Sequence, residues 1–425
     1  MITGIKGMND ILPGEVETWQ YLEEQARRIF AAYGFAEIRV PVVEKTDLFC
    51  RSIGESTDIV EKEMYSFTDK GGTSITLRPE GTASVMRSFI EHKLYAQDPV
   101  ARLYYLGPMF RYERPQKGRY RQFHQIGAEA IGIDDPRVDA QLMAMLTHYL
   151  DEVGIRDVEL QVNSLGCPEC RPAYRQALIF FLQPQLEALC EDCRRRWCTN
   201  PLRVLDCKVP GCREATAQAP SILDHLDTPC ADHFSRVRAA LEDLAVPFAV
   251  NPRMVRGLDY YTKTTFEVVT GNLGAQNAVA AGGRYDRLIQ DLGGPPLPGI
   301  GFAMGLERLV LLKGEERIAP PRPALFLAAL GEAAGRQAFR LMCSLQRRGL
   351  RAETDFEGKS LKAQMRRAGR LQARFVLILG EEELARQIGQ LRDMDAGTQE
   401  EIALGELAER LLERLGQRET LDAVR

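Results

Sequence analysis

The sequence has no long hydrophobic segment. No window in its 425 residues approaches the roughly 18 uninterrupted apolar residues that a membrane-spanning helix needs. Its first residues, MITGIKGMNDILPGE, contain no apolar core of signal-peptide length. We therefore expect a cytoplasmic protein that does not bind a membrane.

The sequence also has no excess of basic charge. It carries 55 Lys and Arg against 59 Asp and Glu, a formal net charge of -4. This balance excludes a continuous nucleic-acid-binding coat but permits local basic patches. A chain of 425 residues exceeds the usual size of one hydrophobic core, so we expect two or three domains.

Hydrophobic periodicity predicts a mixture of helices and strands. Residues 15–33 have helical spacing, and a strand is predicted in FAEIRVPVVE, where Pro41 requires a sheet edge or an interface. SITLRPEGTASVMRSFI reads as a strand followed by a helix, and residues 101–132 as two strands joined by a basic loop. Strands this close in sequence favour an antiparallel sheet and an α+β fold.

Cysteines are concentrated in a segment that looks like an insertion, about residues 167–230. It holds eight of the ten: Cys167, Cys170, Cys190, Cys193, Cys198, Cys207, Cys212 and Cys230. Without a secretory signal, close cysteine pairs indicate metal binding rather than disulfides. The CxxC pairs at Cys167 and Cys170 and at Cys190 and Cys193 fit a zinc ribbon or knuckle, and Cys207 and Cys212 are alternatives to either pair.

A linker is predicted at residues 313–323, KGEERIAPPRP, which are charged and rich in proline. Beyond it, ALFLAAL, ARFVLILG and EEIALGEL alternate with helical patterns, as in a small α/β domain. The sequence thus predicts a domain of residues 1–322, which contains the insertion, and a domain of residues 323–425.

The loop between the two strands of residues 101–132 is basic. It contains one acid, Glu113, and five basic residues: Arg111, Arg114, Lys117, Arg119 and Arg121. The rigid fork of arginine suits phosphate oxygens, which indicates a polyphosphate or an RNA end. A solvated basic loop explains the same pattern.

Two further segments combine polar groups with glycines. On the returning strand, Gln125 and Glu129 face the same side with Gly127 between them, which leaves room for a ligand. A solvent-facing strand surface explains the same pattern. GIGFAMGLERL ends a Gly-rich strand and begins a helix, where Arg308 in the first turn is unfavourable for the helix dipole and requires an anionic partner.

These segments resemble known motifs. FRYERPQKGRYRQFHQIGAE resembles motif 2 of class II aminoacyl-tRNA synthetases, GFAMGLERL resembles motif 3, and the region around Pro41 resembles the dimer-forming motif 1. RGLDYY and AGGRYD are similar to the two signature segments of the histidyl-tRNA synthetase family. The similarity extends over nearly the whole chain.

The resemblance implies a class II antiparallel sheet flanked by helices, with a small inserted domain and a C-terminal α/β anticodon-binding domain. It implies a ligase that activates L-histidine with ATP and Mg²⁺ and transfers histidine to the 3′ end of its tRNA. It also implies a homodimer formed through the motif 1 region. Synthetases of this kind generally do not depend on a metal in the insertion, so the zinc remains open.

The resemblance also assigns roles to residues. Arg256 and Arg111 are the implied catalytic residues, and ATP is bound by Arg111, Glu113, Arg119, Arg256 and Arg308. The ammonium group of histidine is assigned to Glu80, Thr82 and Gln125, and Gly81 is a further implied histidine-binding residue. The imidazole is assigned to Glu129, Tyr260, Tyr261 and Tyr285.

In the last hundred residues a basic stripe is predicted on one helix. It consists of Lys362, Arg366, Arg370 and Arg374, which fits a surface that contacts tRNA phosphates. A solvated helix face explains the same spacing.

An alternative function is a synthetase-like regulatory subunit of histidine biosynthesis, which binds histidine without charging tRNA. Such a protein is expected to lack the C-terminal domain and the ATP arginines, which this sequence retains. A bare RNA-binding module would leave the two signature segments unexplained.

Overall fold

The chain forms two compact units, Met1–Ile318 and Ala319–Arg425. The computed structural model describes residues 1–54, 57, 59–256, 258–273, 277–314 and 318–422. The division falls inside the predicted linker of residues 313–323, of which residues 315–317 lie outside the described part of the chain.

The first unit contains both helices and strands. Its helices are α1 (Val16–Ala32), α2 (Thr46–Ile53), α3 (Thr82–Glu91), α4 (Pro136–Glu152), α5 (Arg171–Leu182), α6 (Glu191–Thr199), α7 (Pro210–Ala215), α8 (Thr228–Asp243), α9 (Leu288–Asp291) and α10 (Leu306–Lys313). Its strands are β1 (Ala36–Glu37), β2 (Val43–Lys45), β3 (Tyr65–Thr68), β4 (Ser74–Leu77), β5 (Ala101–Phe110), β6 (Gln122–Ile131), β7 (Glu159–Ser164), β8 (Ala249–Val250), β9 (Thr262–Val269), β10 (Ala278–Arg284) and β11 (Gly299–Gly305).

The main sheet of this unit has eight strands in the order β1-β5-β6-β11-β10-β9-β7-β8. All neighbouring pairs are antiparallel except the two at the edges, β1 with β5 and β7 with β8. The predicted antiparallel sheet is therefore confirmed. The motif-bearing strands β6, β11, β10 and β9 lie side by side, which brings distant parts of the sequence to one surface.

The strand predicted in FAEIRVPVVE differs from the structure. It is divided into β1, at the edge of the main sheet, and β2, in a separate three-stranded sheet of order β2-β4-β3. Pro41 lies exposed between the two strands. Because proline has no N–H to donate to a ladder, the chain leaves one sheet there and enters the other.

Helix α1 packs on the main sheet through the stripe that its periodicity predicts. Its buried face includes Trp19, Leu22, Ala26, Ile29 and Phe30. These side chains join the largest hydrophobic core of the unit, to which α4 and the central strands also contribute. The core fixes the sheet that carries the site residues.

The cysteine-rich insertion lies between β7 and β8 and is helical. Helices α5, α6 and α7 surround a small core of its own, which includes Tyr174, Leu178, Leu182 and Leu189. Two of the cysteines, Cys193 and Cys212, are fully buried in that core and are not in disulfides.

A buried charge network joins β10 to helices α4 and α8. The Arg284 side chain, fully buried, donates from Nε to both carboxylate oxygens of Asp139 at 2.9 and 3.0 Å and from Nη1 to Asp286 at 3.0 Å. His233 on α8 lies 2.9 Å from Asp139 through Nε2. Burial alone would raise the pKa of Asp139, but Arg284 and His233 lower it below its ordinary value.

Replacement of Arg284 by alanine should destabilise the first unit by about 3–5 kcal/mol, because Asp139 would remain buried without its main cationic partner. Chemical denaturation followed by circular dichroism measures the loss. The exposed Arg287 offers a matched control, since its ion pair with Asp291 at 3.9 Å is solvated and its removal should change stability by about 0.5 kcal/mol or less. Equal effects of the two variants would contradict a structural role for the network.

The second unit is a small α/β domain. Its strands are β12 (Leu325–Ala329), β13 (Ala352–Thr354), β14 (Phe375–Leu379), β15 (Ile388–Asp393) and β16 (Gln399–Ala403), and its helices are α11 (Glu332–Arg347), α12 (Leu361–Arg370), α13 (Glu381–Ala385) and α14 (Leu407–Asp422). The five-stranded sheet has the order β13-β12-β14-β15-β16, and β12 is parallel to both of its neighbours.

Helix α12 of this unit carries the predicted basic stripe. Lys362, Arg366 and Arg370 are exposed on it, whereas Arg374 follows the helix and is half-buried. The opposite face, with Ala368, packs into the core of the unit.

None of the helices in the described part of the chain has the length and apolar character needed to cross a membrane.

Candidate active site

A cavity of about 320 Å³ opens in the first unit over strands β6, β10 and β11. Ten of the thirteen predicted ATP and histidine residues line it: Glu80, Thr82, Arg111, Glu113, Arg119, Gln125, Arg256, Tyr260, Tyr261 and Arg308. The other three, Gly81, Glu129 and Tyr285, are not among the residues that line the cavity as the structure describes it. The fold therefore gathers most of the predicted set in one place.

Two arginines are fixed in the cavity wall by backbone carbonyls. Arg111, just after β5, donates from Nε to the carbonyl of Pro79 at 2.9 Å and lies over the Phe123 ring at 5.3 Å. Arg308, in the first turn of α10, donates to the carbonyls of Gly118, at 3.3 Å, and Ala278. These contacts orient the guanidinium groups without neutralising them.

The electrostatics of these cations favour an anionic ligand. Burial lowers the pKa of Arg111, and burial together with the charges of Arg119 and Arg111 lowers the pKa of Arg308. Cations that are crowded and desolvated in this way are stabilised by a bound anion. The predicted need of Arg308 for an anionic partner is not met by a carboxylate in direct contact among the described residues, and a phosphate chain would supply it.

The third arginine, Arg256, lies just before β9 and has an acidic partner that the sequence did not indicate. It pairs with Glu267 on β9 and lies 5.8 Å from the centre of the Tyr261 ring. Burial is the largest influence on the pKa of Arg256 and lowers it, but Glu267, Tyr261, Tyr260 and Asp206 together outweigh burial, so the net shift is upward. Its Nε is buried and has no hydrogen-bond partner among the residues that the structure describes. Gly257, the next residue of the RGLDYY segment, lies outside the described residues.

Glu113 and Arg119 form an ion pair across the loop between β5 and β6. Arg119 also lies 4.0 Å from Glu63. Burial lowers the pKa of Arg119 and the charge of Arg111 lowers it further, although Glu63 opposes both. The predicted basic loop is thus partly neutralised by Glu113 and by Glu63, and of its arginines Arg111 and Arg119 line the cavity.

Glu80 stands at the beginning of helix α3. Its carboxylate oxygens accept hydrogen bonds from the backbone N–H groups of Thr82 and Ala83, both at 2.8 Å, as a helix cap. Burial raises the pKa of Glu80 in spite of these bonds. The carboxylate is held at the cavity wall, where a cationic ligand group would stabilise its charged form.

Glu129 is fully buried behind the wall, and both of its oxygens are engaged. One accepts from Thr82 Oγ1 at 2.7 Å and the other from the hydroxyl of Tyr285. Burial raises the pKa of Glu129 to about 8, and the two hydroxyl donors only partly oppose this rise. A β-carbon on Gly301 would overlap the Glu129 carboxylate, so the glycine of the motif 3 strand makes room for it.

The adjacent tyrosines just before β9 pack against one another with their rings tilted by 54° and extend the cavity wall. The rings of Tyr260 and Tyr261 are 4.7 Å apart, and Tyr285 approaches Tyr260 edge-on at 5.9 Å. Gly283 permits this packing, because a β-carbon there would lie 2.9 Å from the Tyr261 ring. A flat polar ligand therefore meets phenol groups beside the cationic part of the cavity.

Comparison with known proteins decides the family. The profile of the family described as "Histidyl-tRNA synthetase" matches residues 7–309, and that of "Anticodon binding domain" matches residues 325–414. The chain belongs to the histidyl-tRNA synthetase family. The interpretation from motifs 2 and 3 and from the two signature segments is thereby confirmed.

Similar proteins cover the chain almost completely. "Histidine--tRNA ligase" of Syntrophotalea carbinolica is 72% identical over 97% of this chain and 99% of its own length. The protein of that name from Geobacter sulfurreducens is 67% identical over 95% and 98%. The crystal structure of apo Staphylococcus aureus histidyl-tRNA synthetase has 39% identity and a TM-score of 0.82, covering 97% of this chain and 100% of its own.

In this member of the histidyl-tRNA synthetase family, one cavity residue that sequence reasoning missed is Tyr105 on β5. Its ring fills the space above Gly81 and Gly127, where a β-carbon on either glycine would overlap it. The gap predicted at Gly127 is therefore occupied by Tyr105 and not left open for a ligand. The feature that identifies Tyr105 is its position across the ladder, because it lies directly opposite Gly127 on the neighbouring antiparallel strand.

The predicted zinc ligands of this synthetase-family chain are corrected by the structure. Cys167 and Cys170 lie together with Asp227 and Cys230, whereas Cys190 and Cys193 lie together with Cys207 and Cys212. The four residues predicted as one site thus belong to two groups. The two cysteines of each CxxC pair are close in sequence, but the other two residues of each group come from later in the chain.

Proposed function

We propose that this chain is a histidine–tRNA ligase. It activates L-histidine with ATP to histidyl-adenylate, releases pyrophosphate, and transfers histidine to the 3′ end of its tRNA with release of AMP. The observation that carries the proposal is that one cavity is lined by Arg111, Arg256 and Arg308 together with Glu80 and the tyrosine wall, which consists of Tyr260 and Tyr261. The membership of the family supports the same reaction.

The cationic side of the cavity suits adenylate formation. In this reaction the carboxylate of histidine attacks the α-phosphorus of ATP, so two anions approach each other and the leaving pyrophosphate gains charge. Catalysis then consists mainly of positioning and of stabilising negative charge. Arg111 and Arg308 would bind the phosphate chain, with Glu113 and Arg119 assisting, and Arg256 would stabilise the charge that develops at the α-phosphate.

Mg²⁺ fits the same region, because it takes oxygen ligands and is usually held by one or two carboxylates together with substrate phosphates. Glu307 lines the cavity beside Arg308 and would contribute a carboxylate oxygen to the ion. When bound, the ion would neutralise phosphate charge. Glu307 is oriented by the backbone N–H of His124 at 2.9 and 3.0 Å.

The other side of the cavity suits histidine. Glu80 and Thr82, with the unpartnered Oε1 of Gln125, would bind the ammonium group, since these groups present acceptor oxygens. The imidazole has one donor and one acceptor and would lie against Tyr260 and Tyr261. Glu129 and Tyr285 would complete this pocket from behind the wall, with the Glu129 carboxylate as the acceptor for the imidazole N–H.

We further propose that the enzyme acts in the cytoplasm as a homodimer joined through the motif 1 region. Exposed apolar side chains support such an interface: Phe67 is 50% and Val43 39% exposed on the three-stranded sheet that follows Pro41. Apolar side chains grouped on an exposed sheet are typical of association surfaces.

A regulatory subunit of histidine biosynthesis is the competing function. It would have no need of three arginines for ATP phosphates or of an anticodon-binding domain. In this chain three arginines line the cavity, and the anticodon-binding profile matches residues 325–414. Histidine-dependent exchange of pyrophosphate into ATP separates the two functions. The ligase catalyses the exchange and charges histidine tRNA, whereas a histidine-dependent exchange rate of zero in the folded protein would contradict the proposal.

A chain that ends at Ile318 should retain histidine activation but lose most tRNA charging. The first unit has its own hydrophobic cores and contains every residue assigned to ATP and histidine. The second unit carries the exposed cations of α12, which would bind tRNA phosphates. Pyrophosphate exchange and aminoacylation are measured on the same preparation, together with the oligomeric state.

The full-length variant Lys362→Glu/Arg366→Glu/Arg370→Glu is the matched control for this truncation, because it reverses the charge of α12 and keeps the domain. It should also charge tRNA poorly, with a weaker dependence on salt than the natural protein shows, while the exchange rate stays normal. Full charging by the truncated chain would show that the second unit does not bind tRNA.

A further inference from the structure

The insertion groups its thiols in two places that the proposed ligase reaction does not use. We call Cys190, Cys193, Cys207 and Cys212 the four-cysteine cluster, and Cys167, Cys170, Asp227 and Cys230 the junction cluster. In each cluster, one ligand atom from every residue lies within 4.8 Å of the other three. Four ligand atoms at such distances surround a space the size of one metal ion.

The sulfur distances fit a tetrahedral metal site. Zn–S bonds of about 2.3 Å in a tetrahedron place two sulfurs about 3.8 Å apart. The Sγ atoms of Cys190 and Cys207 are 3.9 Å apart, and those of Cys167 and Cys170 are 3.6 Å apart. A disulfide would require about 2.05 Å, so the thiols are spaced for a shared ion and not for a covalent bond.

The four-cysteine cluster is assembled from separate elements. Cys190 is the residue before α6, Cys193 lies in α6, Cys207 follows a short 3-10 turn, and Cys212 lies in α7. Burial in the insertion core explains Cys193 and Cys212, which are fully buried. It does not explain why the half-buried Cys190 and Cys207 converge on them, whereas a metal ion does.

The junction cluster lies where the insertion leaves β7 and where α8 leads back to the sheet. Asp227 uses one oxygen to cap α8, accepting from the backbone N–H of Cys230 at 2.8 Å. Its other oxygen lies 2.9 Å from Cys167 Sγ and faces the cluster. A carboxylate that divides its oxygens in this way supplies a fourth ligand beside three cysteines.

The backbone around both clusters is arranged to stabilise thiolates. The N–H of Cys190 donates to Cys212 Sγ and the N–H of Cys167 donates to Cys170 Sγ, each at 3.1 Å. Gly166 adopts a left-handed conformation with φ of 64°, and a β-carbon there would lie 2.5 Å from Cys170 Sγ. Such donors and such a turn are typical of the surroundings of a ligating sulfur.

We propose that the insertion binds two structural Zn²⁺ ions, one in the four-cysteine cluster and one in the junction cluster. Tetrahedral sulfur-rich sites select zinc over the oxygen-preferring Mg²⁺. None of the eight ligands lines the cavity, so both ions stabilise the fold and take no part in the reaction.

The junction ion has a further consequence for the histidine pocket. Arg171, the residue after Cys170, donates to the carbonyls of Leu165, at 3.0 Å, and of Tyr261 in the tyrosine wall. Loss of the junction ion should therefore weaken histidine binding more than loss of the ion in the four-cysteine cluster, beside which no described residue donates a hydrogen bond to Tyr260 or Tyr261.

The test is metal content of the full-length chain, purified under reducing conditions, supplied with Zn²⁺ and then desalted. Mass spectrometry of the elements should find two zinc ions per chain in the natural protein. Cys207→Ser and Cys167→Ser, which alter half-buried ligands, should each retain one. Cys198→Ser is the matched control, because Cys198 is exposed in the same insertion and belongs to neither cluster, and it should retain two.

Substitution by Co²⁺ provides a second measurement that does not depend on a variant that folds. Tetrahedral thiolate ligation of Co²⁺ gives intense visible and near-ultraviolet bands, which should grow until two equivalents have been added to the natural protein. One bound zinc or fewer per chain with all ten thiols reduced, iron in place of zinc, or loss of an ion in Cys198→Ser would each overturn the proposal.

Discussion

Replacement of Arg256 by glutamine should lower the rate of histidyl-adenylate formation by about 10² or more, because removal of one electrostatic group that stabilises transition-state charge typically has that effect. Arg256 lines the cavity beside Tyr260 and Tyr261, where the phosphate and the amino acid would meet. Its Nε is buried and has no hydrogen-bond partner among the described residues, so its donor capacity is not saturated by them. Single-turnover quench experiments measure the adenylation step separately from tRNA transfer.

The ion pair with Glu267 supplies the control for this prediction. Loss of Arg256 also leaves Glu267 without its cation, so a slow variant can reflect a distorted site. Glu267→Gln breaks the same pair but keeps Arg256, and it should be far less impaired than Arg256→Gln. Arg256→Lys should lie between them, since lysine keeps the charge and loses the fork. Equal losses in Arg256→Gln and Glu267→Gln would show that the pair is structural.

The residues of the cavity that the sequence predicts are those that motifs place at the ends of strands. Arg111, Arg256 and Arg308 all follow or precede a predicted strand, and the central position of those strands in the sheet brings them together. The residues that sequence reasoning misses depend on neighbours across strands. Tyr105 is recognised only once it is paired with Gly127, and Glu267 only once β9 is known to present it to Arg256.

The cysteines show the same limit. Spacing of two residues identifies each CxxC pair, because the two thiols are close whatever the rest of the chain does. It does not identify the partners of a pair, which come from α7 and from the loop before it in one cluster and from the start of α8 in the other. These partners are set by how the insertion folds back on itself. A local pattern therefore predicts that ligands exist, and only the fold predicts which of them share an ion.

Replacement of Glu129 by glutamine should weaken histidine binding by about 10- to 100-fold above pH 8, where the carboxylate is ionised, and leave ATP binding nearly unchanged, because a hydrogen bond to a charged acceptor contributes about 1.5–3 kcal/mol. The substitution conserves shape, and the hydroxyls of Thr82 and Tyr285 can each rotate to donate or accept. Glutamine is thus a milder test of the site than alanine, which would leave both hydroxyls unpaired. Isothermal titration calorimetry with histidine and with ATP measures the two affinities, and Glu159→Gln, an exposed change on β7, is the control.

The pH dependence of stability distinguishes a charged role of Glu129 from a packing role. Because burial raises its pKa from 4.5 to about 8, the unfolded chain releases this proton at a lower pH than the folded chain does. Between these values the unfolded state binds fewer protons than the folded state. The contribution of Glu129 to the free energy of unfolding is therefore fully present below pH 4.5 and is lost as the pH rises through 8. Glutamine cannot ionise, so the free energy of unfolding of Glu129→Gln relative to the natural protein should improve over the same interval. A difference between the two proteins that does not change with pH would contradict the raised pKa, and equal losses of histidine and ATP affinity would show that Glu129 only supports the wall.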